Sequence, residues 1–405
     1  MENSKSLNIR WLILAVGVVT MLFAGIIYAW SILNSPFIDM GYSKEDLAFN
    51  FTLTMSFFCI GGLISSKLIK LFGVKLVIVF SALLAGLGFV LTSLLLERQT
   101  LLLYLTYGLM AGLGIGIVYI TVISSVNAWF PDRKGLSSGA LMMGFGASSL
   151  VLGNLANSLF QTSLGWKKTY VILGLAIAVV VGLSALVIRR PATSVILPAP
   201  KKPRSKEEAF EIKELTTVQM IKRFTFWRAF LCLICITAVG SSVISFAKNF
   251  VLSFDAEKAA LATSMVGVFA ICNGLGRIVT GAVFDIMGRR FTMISASILT
   301  VFAAAVTTVS VILNSLPIAI AGICLVGMSY GTSPTVASAF TASFYGTKHF
   351  ASNLGAMNFN LMCASFTATS CANIMSATGG YLVPFILLLS LAAVSLVLNF
   401  TIKRP

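Results

Sequence analysis

Twelve apolar stretches recur along this chain, and eleven of them contain no Asp, Glu, Lys or Arg. They lie near 11–33, 47–66, 76–96, 101–128, 136–160, 169–188, 229–247, 259–284, 291–313, 316–340, 353–375 and 381–401. About 20 mostly apolar residues are needed for a helix to cross the hydrocarbon of a bilayer. Irregular backbone cannot face lipid, so the stretches read as helices joined by short polar turns. Composition agrees: 58% of the 405 residues are hydrophobic and 10% are charged, where a soluble domain carries about 25% charged residues. A cytosolic enzyme and a secreted disulfide scaffold are thereby excluded. The expected fold is an all-α membrane protein of twelve transmembrane helices, multi-pass in the cell (inner) membrane.

The net charge of +16 is a topology signal before it is a nucleic-acid signal. With the N-terminus in the cytoplasm, 22 of the 29 Lys and Arg residues fall on that side, six fall outside and one, Arg277, falls in the membrane. By the positive-inside rule both termini are cytoplasmic. The opening MENSKSLNIR runs into an apolar stretch too long for a cleaved export signal. The seven cysteines all fall inside apolar stretches. Cys232 and Cys235 form a C-x-x-C with no second pair or nearby His, which reads as packing. One long polar break, rich in proline and basic residues, divides the chain into an N-terminal six-helix bundle (1–190), a cytoplasmic linker (191–227) and a C-terminal six-helix bundle (228–405). Within the linker, Ser205 and Glu208 are spaced as a capping box, predicting a short helix. The basic run Lys201–Lys206 reads as anchoring against anionic lipid rather than nucleic-acid binding.

The halves echo each other. Sliding the sequence by 215 residues superposes Gly73 on Gly288 and Lys75 on Arg290. Each half has a Tyr late in its fourth stretch, Tyr119 and Tyr330, followed by a polar aromatic turn, 129–135 or 344–350. Duplicated halves suit a transporter that rocks about a central site. Gly281-Ala-Val-Phe-Asp285-Ile-Met-Gly288-Arg289-Arg290 resembles the loop signature of the major facilitator superfamily. Trp129-Phe-Pro-Asp132-Arg133-Lys-Gly135-Leu-Ser-Ser-Gly139 is similar to the W-F-P-D turn of its oxalate/formate antiporter and monocarboxylate transporter branches, as are Tyr28-Ala-Trp30-Ser31, Asn273-Gly-Leu-Gly-Arg277 and Phe344–Phe350. The resemblance covers essentially the whole chain and implies two pseudo-symmetric six-helix bundles. One departure is Lys70, where the superfamily pattern has Asp. Asp285 with Arg289 and Arg290, between Gly281 and Gly288, forms a charge cluster that can pair in one state and release in another, which assigns it to gating. Asp132 and Arg133 receive the same role in the N-terminal half.

Arg277 lies eight residues before Asp285, or about 12 Å of helix from the cytoplasmic mouth. An arginine near the midplane costs at least about 2.5–3.5 kcal/mol on insertion scales unless it faces a watery cavity or a partner. The thirteen acids all fall in loops or termini, so the expected counterion is an external anion, and a carboxylate matches a guanidinium bidentately. Asn273, one turn earlier, shares its face. The resemblance implies that Asn273, Arg277, Tyr119 and Tyr330 line the substrate cavity; Tyr28 and Trp30 are candidates for an aromatic wall. Asn358 and Asn360 are polar at membrane depth and suit either the cavity or hydrogen bonding within the bundle.

The resemblance further implies a second cation on the eleventh helix for carriers of the oxalate dianion, and that position is Leu361 here. The expected substrate is therefore a small monocarboxylate of the lactate, pyruvate or formate type. An oxalate/formate-type exchanger is the runner-up, ahead of a drug exporter or a non-transporting receptor. No Asp, Glu or His lies within a span, and the lone histidine, His349, reads as a solvated loop residue. Either a co-transported proton or a counter-transported carboxylate is compatible with that pattern. The expected partners are the small organic anion and the lipid bilayer, with no nucleic acid, no cofactor and no metal, and the chain is expected to act as a monomer. No ATP-binding loop, nucleophile elbow or paired catalytic carboxylates are present in the sequence, so it reads as no enzyme.

Overall fold

The computed structural model describes residues 2–192, 195, 197–198, 214–255, 257 and 259–402, and among them every regular element is helical. The N-terminal half contributes α1 (Glu2–Ala24), α2 (Lys44–Thr92), α3 (Gly112–Asn127), α4 (Lys134–Ser148) and α5 (Gly165–Ser184). A π-helical stretch, Tyr104–Ala111, leads into α3, and another, Ser149–Gly153, continues α4. Then come α6 (Thr217–Ile221), α7 (Phe224–Leu252), α8 (Ala259–Met287), α9 (Arg289–Ile312), α10 (Leu316–Tyr345), α11 (Phe350–Met357), α12 (Phe359–Thr378) and α13 (Leu382–Phe400). The helix expected from Ser205 and Glu208, and the basic run Lys201–Lys206, lie outside the described residues. The described end of the linker instead forms α6, where Thr216 accepts from the Gln219 amide and the Gln219 side chain accepts from the Thr216 amide.

Ten of the described helical stretches are long and apolar enough to cross a membrane, and two local breaks reconcile them with twelve spans. The 44-residue stretch Phe49–Thr92 holds two spans, divided at Gly73. Ile69 and Val77, on either side of that glycine, pack against the same Ile117 of α3, so the chain turns back there. The eleventh span is shared between α11 and α12, which meet at Asn358.

The internal repeat is written into the backbone. Gly73 has φ 75° and ψ 165°, and Gly288, the residue superposed on it by the sequence repeat, has φ 78° and ψ −179°. Only glycine occupies that region without a cost of about 1–3 kcal/mol. Gly288→Ala is accordingly expected to lower the thermal unfolding midpoint of the detergent-solubilised protein, and Gly73→Ala to do likewise. A midpoint unchanged in both variants would contradict this account of the two turns.

Contacts gather the chain into two compact units, Met1–Lys202 with Thr347–Phe359, and Pro203–Gly346 with Asn360–Pro405. In the first, an aromatic core of Trp30, Phe37, Tyr107, Phe89 and Tyr170 is closed by ring contacts of 4.4–6.2 Å. Its Thr347–Phe359 segment lies along α2: the Ser66 and Ser352 hydroxyls share a hydrogen bond of 2.5 Å, and the Cys59 thiol donates to the Asn358 carbonyl at 3.5 Å. In the second, Val239, Phe246, Phe250, Phe269, Ile323 and Phe385 form the buried core. Cys232 is fully buried there, its Sγ 3.4 Å from the Ser395 carbonyl oxygen, in keeping with packing. Large apolar side chains such as Leu71, Phe72, Leu76, Phe80 and Leu83 point outward, while many Ser and Thr hydroxyls sit inside, bonding back to their own helix, as Thr121 does to the Ile117 carbonyl at 2.7 Å. Apolar side chains turned outward are what a hydrocarbon solvent demands, and hydroxyls within helices satisfy themselves on the preceding turn.

Candidate functional site

Arg277 stands in the middle third of the 24-residue span Ser264–Met287, and its side chain is enclosed by protein, 3% exposed. Asn273, 5% exposed, precedes it by one turn of α8. The guanidinium Nε donates to Asn273 Oδ1 at 3.1 Å, so the i, i−4 relation expected from sequence is realised as a bond that fixes the plane of the guanidinium. The helix carrying this pair is held unusually close to α10. Gly276 receives the Met328 carbonyl of α10, and Gly331 of α10 receives the Asn273 carbonyl, with the Arg277 amide nitrogen 3.0 Å from where a Cβ on Gly331 would stand. Thr335 Oγ1 donates to the Arg277 carbonyl at 3.4 Å, one turn further along. Small residues thus let two backbones meet where the buried cation sits.

A second polar contact in the same unit involves two hydroxyls, Thr237 and Ser333, that had no role among the sequence-based expectations. Thr237 of α7 shares a 2.6 Å hydrogen bond with Ser333 of α10 and donates to Asn360 Oδ1 of α12 at 3.3 Å. Asn360 therefore serves bundle hydrogen bonding, one of the two roles expected of it. Asn358 falls in the other compact unit, where its carbonyl takes the Cys59 thiol. Tyr330 packs on Gly240 of α7, with its ring 6.1 Å from that of Phe269, and its neighbour Gly331 touches the Asn273 carbonyl.

The remaining aromatic candidates lie in the first unit. Tyr28 and Tyr119 converge on Phe145, with ring centroids 5.2 and 4.9 Å from it, and Phe58 lies 5.0 Å from Tyr119. Trp30, two residues after Tyr28, faces elsewhere: its indole Nε1 donates to the Leu47 carbonyl at 3.0 Å and its ring lies 4.4 Å from Tyr107. Asn273 and Arg277 are thus brought together in one unit, Tyr28 and Tyr119 in the other, and Trp30 belongs to a separate packing cluster.

Among the residues assigned to gating, Gly288 makes the turn that ends α8, and Gly281 is buried one to two turns earlier. Asp285 is half-buried between them, and the Arg289 guanidinium lies 3.9 Å over the Phe344 ring. In the N-terminal half Asp132 accepts from Arg10 Nη1 at 2.8 Å, with Arg133 Nε at 3.8 Å. Both partners of the shorter pair are mostly buried, side chains 9% and 13% exposed, and the Arg10 guanidinium also covers the Phe130 ring at 5.0 Å. Arg10 was legible only as a flanking cation, because its partner is 122 residues away and no local pattern links them.

The fold and the buried cation describe a solute carrier, and family comparison gives the class. The Major Facilitator Superfamily profile matches residues 12–369, and the chain belongs to that family. It is a multi-pass membrane transporter, not an enzyme. Over 358 residues it is 28% identical to "Uncharacterized MFS-type transporter YhjX" of Escherichia coli (strain K12), covering 88% of this chain and 85% of the relative. Over 361 residues it is 25% identical to "Oxalate:formate antiporter" of Oxalobacter formigenes, covering 87% and 82%. A 170-residue stretch is 26% identical to "Monocarboxylate transporter 2" of Mesocricetus auratus, covering 36% and 34%. The names of the last two relatives, an oxalate:formate antiporter and a monocarboxylate transporter, belong to proteins this chain is similar to, and the superfamily is what it belongs to. Among solved structures, the proton:xylose symporter XylE superposes with a TM-score of 0.74 at 11% identity, covering 99% and 97% of the two chains, which is a likeness of fold.

Proposed function

We propose that this protein is a secondary carrier of a small monocarboxylate, of the lactate, pyruvate or formate type, in which Arg277 pairs the carboxylate and Asn273 orients the guanidinium. The observation that carries the reading is the Arg277–Asn273 pair itself: a guanidinium enclosed within a span, its plane held by an amide through Nε at 3.1 Å. A guanidinium so oriented offers the fork geometry that a carboxylate matches with two parallel N–H···O bonds. An arginine in the membrane marks a substrate or ion pathway more often than a structural contact. Tyr119, Tyr330 and Tyr28 supply apolar walls with polar tips for the short carbon chain.

Transport proceeds by alternating access, with the halves 1–190 and 228–405 rocking about the site and the linker 191–227 joining them. The charged turns, Asp285 with Arg289 and Arg290, and Asp132 with Arg133, make and release contacts at the cytoplasmic mouth, while Gly281 and Gly288 allow close helix approach and reversal there. One fixed cation balances one carboxylate; Leu361 leaves the eleventh span without a second.

Proteoliposome uptake of a labelled monocarboxylate, competed by a panel of small acids at equal concentration, tests the substrate class. Monocarboxylates are expected to compete best, and oxalate outcompeting every monoanion would overturn the reading. The Oxalobacter formigenes relative favours exchange as the mode of coupling. Preloading the same vesicles with a second carboxylate, with and without a pH gradient, separates exchange from proton symport.

A further inference from the structure

Within the second compact unit, the described end of the linker is fastened to the C-terminal end of α10. The Leu215 amide donates to the Tyr345 carbonyl at 3.1 Å and so satisfies one of the carbonyls that a helix leaves open at its last turn. Leu215 is buried, and α6 follows it directly through the Thr216 cap. Glu214, the residue before, lays its carboxylate over Gly346, with both oxygens within 2.8 Å of where a Cβ on that glycine would stand. Gly346 has φ 80° and ψ −179°, in the same region as Gly73 and Gly288, and its bare Cα is what admits the carboxylate. The Arg289 guanidinium stacks 3.9 Å over the ring of Phe344, two residues before that glycine.

Helix polarity does not explain where Glu214 stands, because the C-terminal end of a helix carries partial negative charge and disfavours a carboxylate. The internal repeat does explain it. Sliding by 215 residues superposes Pro131 on Gly346 and Asp132 on Thr347. In the N-terminal half the turn after the fourth span carries its own acid, Asp132, which accepts from Arg10 of α1 at 2.8 Å. In the C-terminal half the matching turn, 344–350, contains no acid. A carboxylate reaches it all the same, from the segment that leads into the first span of that half. Both halves thus bring one acid to this turn and tie the turn to the start of the half; the acid belongs to the turn in one and to the linker in the other. We propose that Glu214 supplies the acid missing from the turn after α10 and is a positioning residue for gating, the counterpart of Asp132, a part that rests on the gating assigned above to the charged turns. It gives the linker a task beyond joining the halves. Leu215 and the α6 cap hold the carboxylate at a helix end that disfavours it, so its charge biases which cations the turn pairs with in each state of the cycle.

Glu214→Gln is expected to slow uptake into proteoliposomes at least about fivefold, the lower end of typical coupling between two conformational states, without lowering the thermal unfolding midpoint. Adding Thr347→Asp, which puts the acid where the repeat places Asp132, is expected to restore most of the rate. A residue that only supports the fold gives the opposite pattern, a lowered midpoint and no recovery from a relocated carboxylate. Uptake by Glu214→Gln close to that of the unaltered protein, or a loss that Thr347→Asp leaves uncorrected, overturns the proposal. Should the double variant not fold, Glu214→Asp and Glu214→Lys supply the contrast: uptake kept in the first and lost in the second supports the assignment, and equal rates overturn it. All rates are compared on whichever acid of the panel the unaltered protein carries. Failure of the monocarboxylate reading then shows in the unaltered protein, and failure of the Glu214 assignment shows only in the variants.

Discussion

Arg277→Lys is expected to cut monocarboxylate uptake about 100-fold or more while the protein still inserts and folds. The substitution keeps the formal charge, so the cost of a cation at membrane depth is much the same on insertion scales. What changes is the donor geometry. A lysine offers one rotatable ammonium where arginine offers a rigid fork, and it has no Nε to be held by Asn273 Oδ1. Disrupting a buried ion pair costs about 3 kcal/mol or more, which corresponds to roughly 100-fold in affinity. Fluorescence-detected gel filtration, to check folding, and uptake by the same preparation report the two halves of the expectation separately. Uptake within a few-fold of the unaltered protein would remove Arg277 from the site.

Gly331→Val is expected to abolish transport by a different route, through helix packing. A side chain at this position overlaps the Asn273 carbonyl oxygen and crowds the Arg277 amide nitrogen at 3.0 Å, so α8 and α10 must separate at the level of the buried cation. Neither obstacle is the movable end of a side chain; both are backbone inside hydrogen-bonded helix. Overpacking of this kind costs typically about 1–3 kcal/mol, and the displacement falls on the two residues whose mutual geometry the proposed site requires. A lowered unfolding midpoint together with lost uptake is the expected pair of results. Gly380→Ala serves as the control, since a Cβ there meets nothing within 4 Å and its φ is not in the positive region. A Gly331→Val protein with both stability and uptake intact would mean that α8 and α10 yield at this crossing.

Much of the architecture was legible without coordinates because its causes are local. Hydrocarbon thickness sets the length of each span, and the cost of a charge in lipid singles out Arg277 from the remaining 28 Lys and Arg residues. The repeat that pairs Gly73 with Gly288 was visible as spacing, and the φ values of 75° and 78° give its reason: both turns need a conformation open only to glycine. The i, i−4 relation of Asn273 to Arg277 follows from helix periodicity alone. The break at Asn358, inside the eleventh stretch, has no such local mark and appears only where α11 and α12 meet in the structure.

Other features required the tertiary structure. Tyr28 and Trp30 sit two residues apart, a spacing whose side chains do not share a helix face, and only the packed structure shows that one meets Phe145 and the other the Leu47 carbonyl. The Arg10–Asp132 pair spans 122 residues, and Thr237 and Asn360 meet across 123. The sequence by itself determined how many times the chain crosses the bilayer, which side its cations hold and which charge is stranded within, since each is settled by transfer between water and lipid one segment at a time. Which side chains meet across helices, and hence where that arginine is braced, was decided only when close-packed backbones with small residues at their crossings brought distant segments together.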